Sequence, residues 1–380
     1  MKKFLLLFCI FSLSVQAQLQ DSHFYKVDSK EISSNFEVDS FWKTHVEGFF
    51  LSNRESRERL MKVKLYGKFD LEFNSYVYAR FEPYLVIKEG EVQSRRLTRS
   101  NSPIQMNQGF FDIRPAEGFS LQMGAINQEY LSSPLLLDNY SFLSALFSYS
   151  YIKETYEIQT VLQQSMPSVV NSFKRDNEIA DVPYFTSLFT YGEWLPSDYY
   201  SFKGHITGFY FTKLPSFIAH ESKSYGNTVT GELSSAQFEH SYYGINFDVS
   251  SQIKIRPELY LSIGYNGLRN FDAPFDKSWG ERVYSILDMS FWKWAKLYSR
   301  FEYFYNNSDS APAYFNSAIY GHNNRKGFLM ELKAFIPKGN FEIGFRYVLS
   351  DPIQQYIVSS SIGKRQHSFM VFIGSRYLPI

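Results

Sequence analysis

The side chains that could do chemistry in this chain are charges placed at every second position of alternating segments. Lys62, Lys64, Lys68, Asp70 and Glu72 share one parity, while Val63, Leu65, Phe69, Leu71 and Phe73 share the other. The same split continues at Arg80 and Glu82, at Arg282 and Asp288, at Arg300 and Glu302, at Glu331, and at Glu342 and Arg346. Period two puts neighbouring side chains on opposite faces of a strand. Acids and bases mixed along one face suit two tasks. Bordering a water-filled passage, they filter solutes by charge and size. Packed against one another, they zip a wall together. The spacing leaves both readings open.

Motifs for covalent chemistry are missing from the sequence. It contains no Gly-x-Ser-x-Gly elbow, phosphate loop or His-Glu-x-x-His segment. The histidines His23, His45, His205, His220, His240, His322 and His367 are scattered, with no pair at metal-ligand spacing. No catalytic residue, cofactor site or metal site is therefore assigned. One constellation is worth following. His205 and His240 fall on adjacent expected strands, with Asp248 further along the second. A base oriented by a carboxylate would serve a hydrolase. Two solvated wall histidines is the simpler expectation.

The elements that carry these charges read as strands throughout. Alternating segments are expected at 41–51, 60–73, 76–88, 104–114, 119–130, 141–151, 155–165, 184–195, 199–211, 238–250, 256–266, 281–292, 296–305, 326–337, 341–349 and 366–378. Pro83 cannot donate to a ladder and is expected to mark a local bulge. Short connections, such as 73–75, 114–118 and 196–198, alternate with long ones at 89–103, 166–182, 213–237, 268–280 and 306–325. Charge keeps to one parity in each clear case, as a lipid-facing wall requires, because a charge at mid-bilayer costs roughly 2–4 kcal/mol. The fold class is thus all-β: a transmembrane antiparallel up-and-down barrel of about 16 strands, with 14–18 compatible with the pattern. Short turns would face the periplasm and long loops the exterior.

Composition agrees. Aromatic residues make up 19% of the chain, yet mean hydropathy is −0.28. Strands showing apolar atoms to lipid and polar atoms to a lumen reconcile the two, with aromatic girdles at both interfaces. Lys2 and Lys3, the apolar run Phe4–Val15 and Ala17 have the layout of a signal peptide over 1–17. Residues 18–40 then form a periplasmic lead, in which Asn35–Val38 suits an extra strand or a small plug, and 41–380 form the barrel. Removing 1–17 removes Cys9, the only cysteine, and with it any disulfide or thiolate site. The balance of 39 basic and 38 acidic residues argues against nucleic acid as partner.

Two segments carry a family resemblance. Asn107 to Gly124 runs down one strand, turns at Pro115-Ala116-Glu117-Gly118 and returns, which resembles a porin hairpin. The chain ends Phe369-Met370-Val371-Phe372-Ile373-Gly374-Ser375-Arg376-Tyr377-Leu378-Pro379-Ile380. It is similar to the terminal strand recognised by the outer-membrane assembly machinery. Gly374 and Tyr377 match that pattern, whereas Ile380 stands in place of a final phenylalanine. The resemblance to Gram-negative outer-membrane porins implies a passive channel for small polar solutes or ions, integral in the outer membrane and in contact with its lipid and lipopolysaccharide. It also implies a homotrimer. The stretch Arg95-Arg96-Leu97-Thr98-Arg99 reads first as a solvated external loop, with folding inward or gripping lipopolysaccharide phosphates as the alternatives. The alternatives are a closed or plugged structural or adhesin barrel and, less favoured, a barrel hydrolase. Loop 213–237 bears on the choice: folded inward it constricts or plugs, and projecting outward it offers a binding surface.

Overall fold

The structure, a computed structural model, describes residues 37–52, 57–91, 104–167, 182–354, 364–376 and 378–379. The expected signal peptide, most of the expected lead and the Arg95–Arg99 stretch lie outside the described residues.

Sixteen antiparallel strands close into one barrel. They are β1 (Glu37–Ser52), β2 (Arg57–Asn74), β3 (Val77–Glu91), β4 (Ile104–Ile113), β5 (Phe119–Asn127), β6 (Ser141–Ile152), β7 (Tyr156–Met166) and β8 (Tyr184–Ser197). The second half is β9 (Tyr200–Thr212), β10 (Tyr242–Arg256), β11 (Leu259–Asn270), β12 (Trp279–Trp292), β13 (Ala295–Asn306), β14 (Arg325–Ile336), β15 (Phe341–Pro352) and β16 (Gln366–Ser375). Each pairs with its sequence neighbours. β1 closes the ring against β16 with Val46 opposite Ile373, and Leu378–Pro379 extends β16 along Phe41 and Trp42. Closure gives every strand a neighbour on each side, which hydrocarbon surroundings demand.

The expected parity holds. Leu65, Ile87, Phe147, Leu188, Val283 and Phe328 stand exposed on the outer wall. Trp194, Tyr199, Tyr200, Trp292 and Trp294 ring the short-turn end, and Tyr210, Tyr243 and Phe271 lie toward the other. At Pro83 the β3–β4 register shifts by one residue, with Asn107 the extra one, so the bulge falls where the missing N–H placed it.

Some boundaries moved. β1 starts at Glu37, so Glu37 and Val38 open the barrel rather than forming a separate plug or strand. β10 and β11 lie several residues later than expected. Ile253 and Ile255 continue the outward apolar row, and the turn is confined to Pro257 and Glu258. β5 stops at Asn127, whose side chain caps a short 3-10 turn at Gln128–Leu131 by accepting from Glu129 N. That turn starts a segment, 128–140, absent from the expected long loops.

Candidate functional site: the lumen

The lumen is built by strands and filled in part by three connections. Segment 128–140 runs inside with Tyr130, Leu131, Leu135, Leu136 and Leu137 buried. Loop 213–237, expected either to constrict or to project, folds inward within a connection that runs to 241: its helix α1 (Ser216–Ser224) buries Ile218 and Ala219. Segment 307–324 buries Ala311, Ala313, Tyr314, Phe315 and Tyr320. These meet the inward rings of Phe142, Phe185 and Phe211. Phe315 stacks on Phe211 at 5.8 Å and 6° and meets Phe142 edge-on at 5.4 Å. The inward face of β4–β11 is apolar at this height, and the connections supply its cover. Each large side chain so buried contributes about 1.5–3 kcal/mol.

Polar clasps lock the three connections together. The Asn227 amide donates to Ser308 O at 2.6 Å and to Ala311 O at 2.9 Å. Asn323 donates to the same two carbonyls at 2.8 and 2.6 Å. Asp309 is fully buried and accepts from Thr228 N at 2.9 Å and the Thr228 hydroxyl at 2.6 Å. Asp138 N donates to Phe315 O at 2.9 Å, and Ser317 N to Pro134 O at 2.9 Å. Burial pushes the Asp138 carboxyl above the usual carboxylate range, against hydrogen bonds from Asn139 and Ser317 and the attraction of Arg346 and Lys64. Burial also pushes the Tyr320 phenol up, to about 12, with the Glu302 charge adding to it.

Most of the expected lumen charges are neutralised in pairs. Arg282 lies 3.4 Å from both Asp248 and Glu302. Glu302 also takes Arg300, whose Nε donates at 2.5 Å, and the Tyr320 hydroxyl at 2.7 Å. Glu331 holds Lys333 at 3.1 Å and pairs with Arg346. On β2 and β3, Asp70 binds Arg80 at 2.7 Å and Lys68 at 3.2 Å, and Arg80 reaches Glu82 at 3.9 Å. Lys62 pairs with Glu47. Glu72 sits exposed opposite Tyr78, Asp288 lies between Tyr260 and Tyr298, and Glu342 lies opposite Gly374. For the paired residues, mutual neutralisation along the wall accounts for the geometry.

The strip formed by β1–β3 differs. Three inward rungs follow one another at two-residue steps: Glu47–Lys62–Lys88, His45–Lys64–Val86 and Lys43–Tyr66–Tyr84. Lys62 faces Lys88 directly. Lys64 and Lys88 have no carboxylate within 4.0 Å among the described residues. Tyr66 and Tyr84 stack at 5.3 Å and 29°. From the opposite side, Asp138 feels Lys64 and Arg346, and Glu129 acts on Tyr66. Lys62, Lys64 and Lys68 lie along β2, with Arg80 of β3 opposite Asp70. Lys68 and Arg80 are consumed by Asp70, and Lys43 and Lys88 join Lys62 and Lys64. Lys88 has the inward parity of its strand and was legible from it, whereas Glu47 and Lys43 became visible only once β1 was in register with β2.

The histidine constellation does not assemble. His205 is opposite Asp248 in register, but its Nε2 lies 3.3 Å from Asn246 Oδ1. Asp248 is taken by Arg282 and by the Tyr284 hydroxyl at 2.8 Å. His240 lies in the connection before β10. Among the described residues no group of three His, Cys, Asp or Glu side chains could hold a metal ion.

No family model and no curated protein matches the chain. Solved structures do. Pseudomonas putida OprB, in its high-pH structure, aligns at a TM-score of 0.56 and 12% identity over 95% of this chain and 96% of that one. Salmonella typhi OmpF, solved with daunomycin, gives 0.53 and 10% over 89% and 97%. A loop L8 deletion mutant of OmpT, an outer membrane protein of Vibrio cholerae, gives 0.50 and 10% over 90% and 99%. At such identities the likeness is one of fold. This chain shares the β-barrel fold of these outer-membrane porins, and its outer wall is apolar with aromatic residues toward both ends.

Proposed function

We propose that the barrel is a passive diffusion channel for small polar solutes or ions, its passage confined to the β1–β3 and β14–β16 side of the lumen. The carrying observation is the split interior. The β4–β11 face is sealed by three inward connections, while Lys43, Lys62, Lys64, Lys333 and Arg346 on the other side remain partly exposed to solvent. Mechanism is hydrated passage between Glu129 and Asp138 on segment 128–140 and the cations facing them. Opposed charges set a field across the path that orders dipoles and sorts ions. No covalent step is involved.

A closed structural barrel is the second reading, and the Asn227–Asn323 clasps favour it, because they make the inner connections one cohesive body. Planar-bilayer recording separates the two. Discrete conductance steps from heat-modifiable, folded protein are expected. No steps from folded protein, as monomer and as oligomer, would establish the closed barrel. Trimer formation rests on the porin likeness, and capture by the assembly machinery on the Gly374–Tyr377 pattern of the last strand.

A further inference from the structure

Resting on the channel reading, we infer that the β1–β3 strip is a docking subsite for small organic anions that carry a flat ring, with a carboxylate or phosphate headgroup on Lys64 and Lys88 and the ring on Tyr84. The first argument is the lysine arrangement. On the β12–β15 side, Arg282 and Arg346 each meet a Glu on a neighbouring strand, and Arg300 meets Glu302 on its own. Here Lys62 and Lys88 face each other directly, a pairing that destabilises a sheet. Four lysines, Lys43, Lys62, Lys64 and Lys88, share three successive rungs with one carboxylate, Glu47. Rungs two residues apart are separated by roughly 6.6 Å, so the ammonium groups of adjacent rungs can close on one headgroup. Point charges on flexible stems accept either headgroup, with no demand for the forked geometry of Arg.

The second argument is the aromatic floor. Tyr66 and Tyr84 are cross-strand neighbours and stacked. One face of Tyr66 is occupied by Lys43 and Lys64, whose Nζ atoms lie 5.4 and 5.9 Å from its centroid. Tyr84 is fixed through its hydroxyl, which donates to Gln105 Oε1. It is half-buried and sits one rung beyond Lys64. A ring held by stacking on Tyr84 would place its acidic substituent at the lysines.

The test uses the full-length, folded protein in two measurements. In bilayers, reversal potentials under a KCl gradient are expected to show anion preference. Benzoate and phenyl phosphate are expected to block chloride current at lower concentration than acetate and inorganic phosphate. Lys64→Glu with Lys88→Glu should lower the anion-to-cation ratio by about tenfold, the size expected for removing attraction at a few ångströms in a partly aqueous lumen. Lys64→Gln with Lys88→Gln, the milder pair, should lower it less. Tyr84→Leu should erase the advantage of the ring compounds. Calorimetry on detergent-folded protein reads the same binding without conduction. Conducting channels with no anion preference and equal block by ringed and ringless anions overturn the subsite and leave the channel standing. No conductance, but benzoate binding abolished by the lysine variants, overturns the channel and leaves the subsite. Neither signal overturns both.

Discussion

A single side chain in this barrel has one of two environments, and substitutions should sort accordingly. Leu65 is 45% exposed on the outer wall. Leu65→Arg should cost about 2–4 kcal/mol at mid-bilayer and abolish the heat-modifiable, folded band in detergent gels. Glu342→Gln, inward and without an ion pair among the described residues, should leave that band unchanged; the reverse outcome would mean that inside and outside are exchanged. Inside the wall, Glu302 is fully buried and is shared by Arg282, Arg300 and Tyr320. Glu302→Gln leaves two guanidinium groups short of their counter-ion. Breaking a buried pair from one side costs roughly 3–5 kcal/mol, so the urea midpoint of the detergent-folded protein should fall markedly. A midpoint within error of the parent would show that water, not Glu302, compensates those cations.

At the scale of elements, the inner connections hold the balance between an open and a sealed lumen. Segment 128–140 is seated through Asp138, which bonds to segment 307–324 and whose carboxyl is raised by burial. A carboxyl with a raised folded pKa favours the seated state when protonated. That stabilisation is complete below the unfolded value and is lost as pH rises through the folded one. Hydrogen exchange of 128–140 should therefore be slowest in acid and accelerate as pH climbs above the usual carboxylate range, and Asp138→Asn should flatten the profile. The β4–β5 hairpin shows a second constraint on the same segment. Gly124 has φ +141°, and a Cβ there would lie 2.3 Å from Gly109 O. Glycine alone lets β5 pass this close to β4 just before the chain turns inward.

For the whole molecule, the barrel and its filling are separable. Strand closure depends on the ladder, whereas the filling depends on clasps between connections. Asn227→Ala with Asn323→Ala removes the donors to Ser308 O and Ala311 O, each buried carbonyl losing about 1–3 kcal/mol. The barrel should remain heat-modifiable, and bilayer recordings should show larger or noisier conductance. Conductance identical to the parent would place the solute path wholly outside the clasped region.

Sequence by itself determined the barrel. Side chains alternate with period two, and a wall between lipid and water sorts them by that period, so Leu65, Phe328 and Phe345 declared one face, and Arg80, Glu302 and Glu331 the other. Pro83 likewise announced its bulge, because a missing N–H is a property of the residue alone. Tertiary structure decided what the lumen contains. Whether Lys68 is a free pore charge or the partner of Asp70 depends on rotamers and on cross-strand register, which parity does not encode. That Lys88 and Lys43 would join Lys62 and Lys64 required β1 and β3 to be aligned against β2. Segment 128–140 was hidden for a similar reason. Its first residues, Gln128 to Tyr130, read as the end of a strand, and its leucines as a plain connection, until the apolar inner faces of β6, β8 and β9 give them a surface to cover.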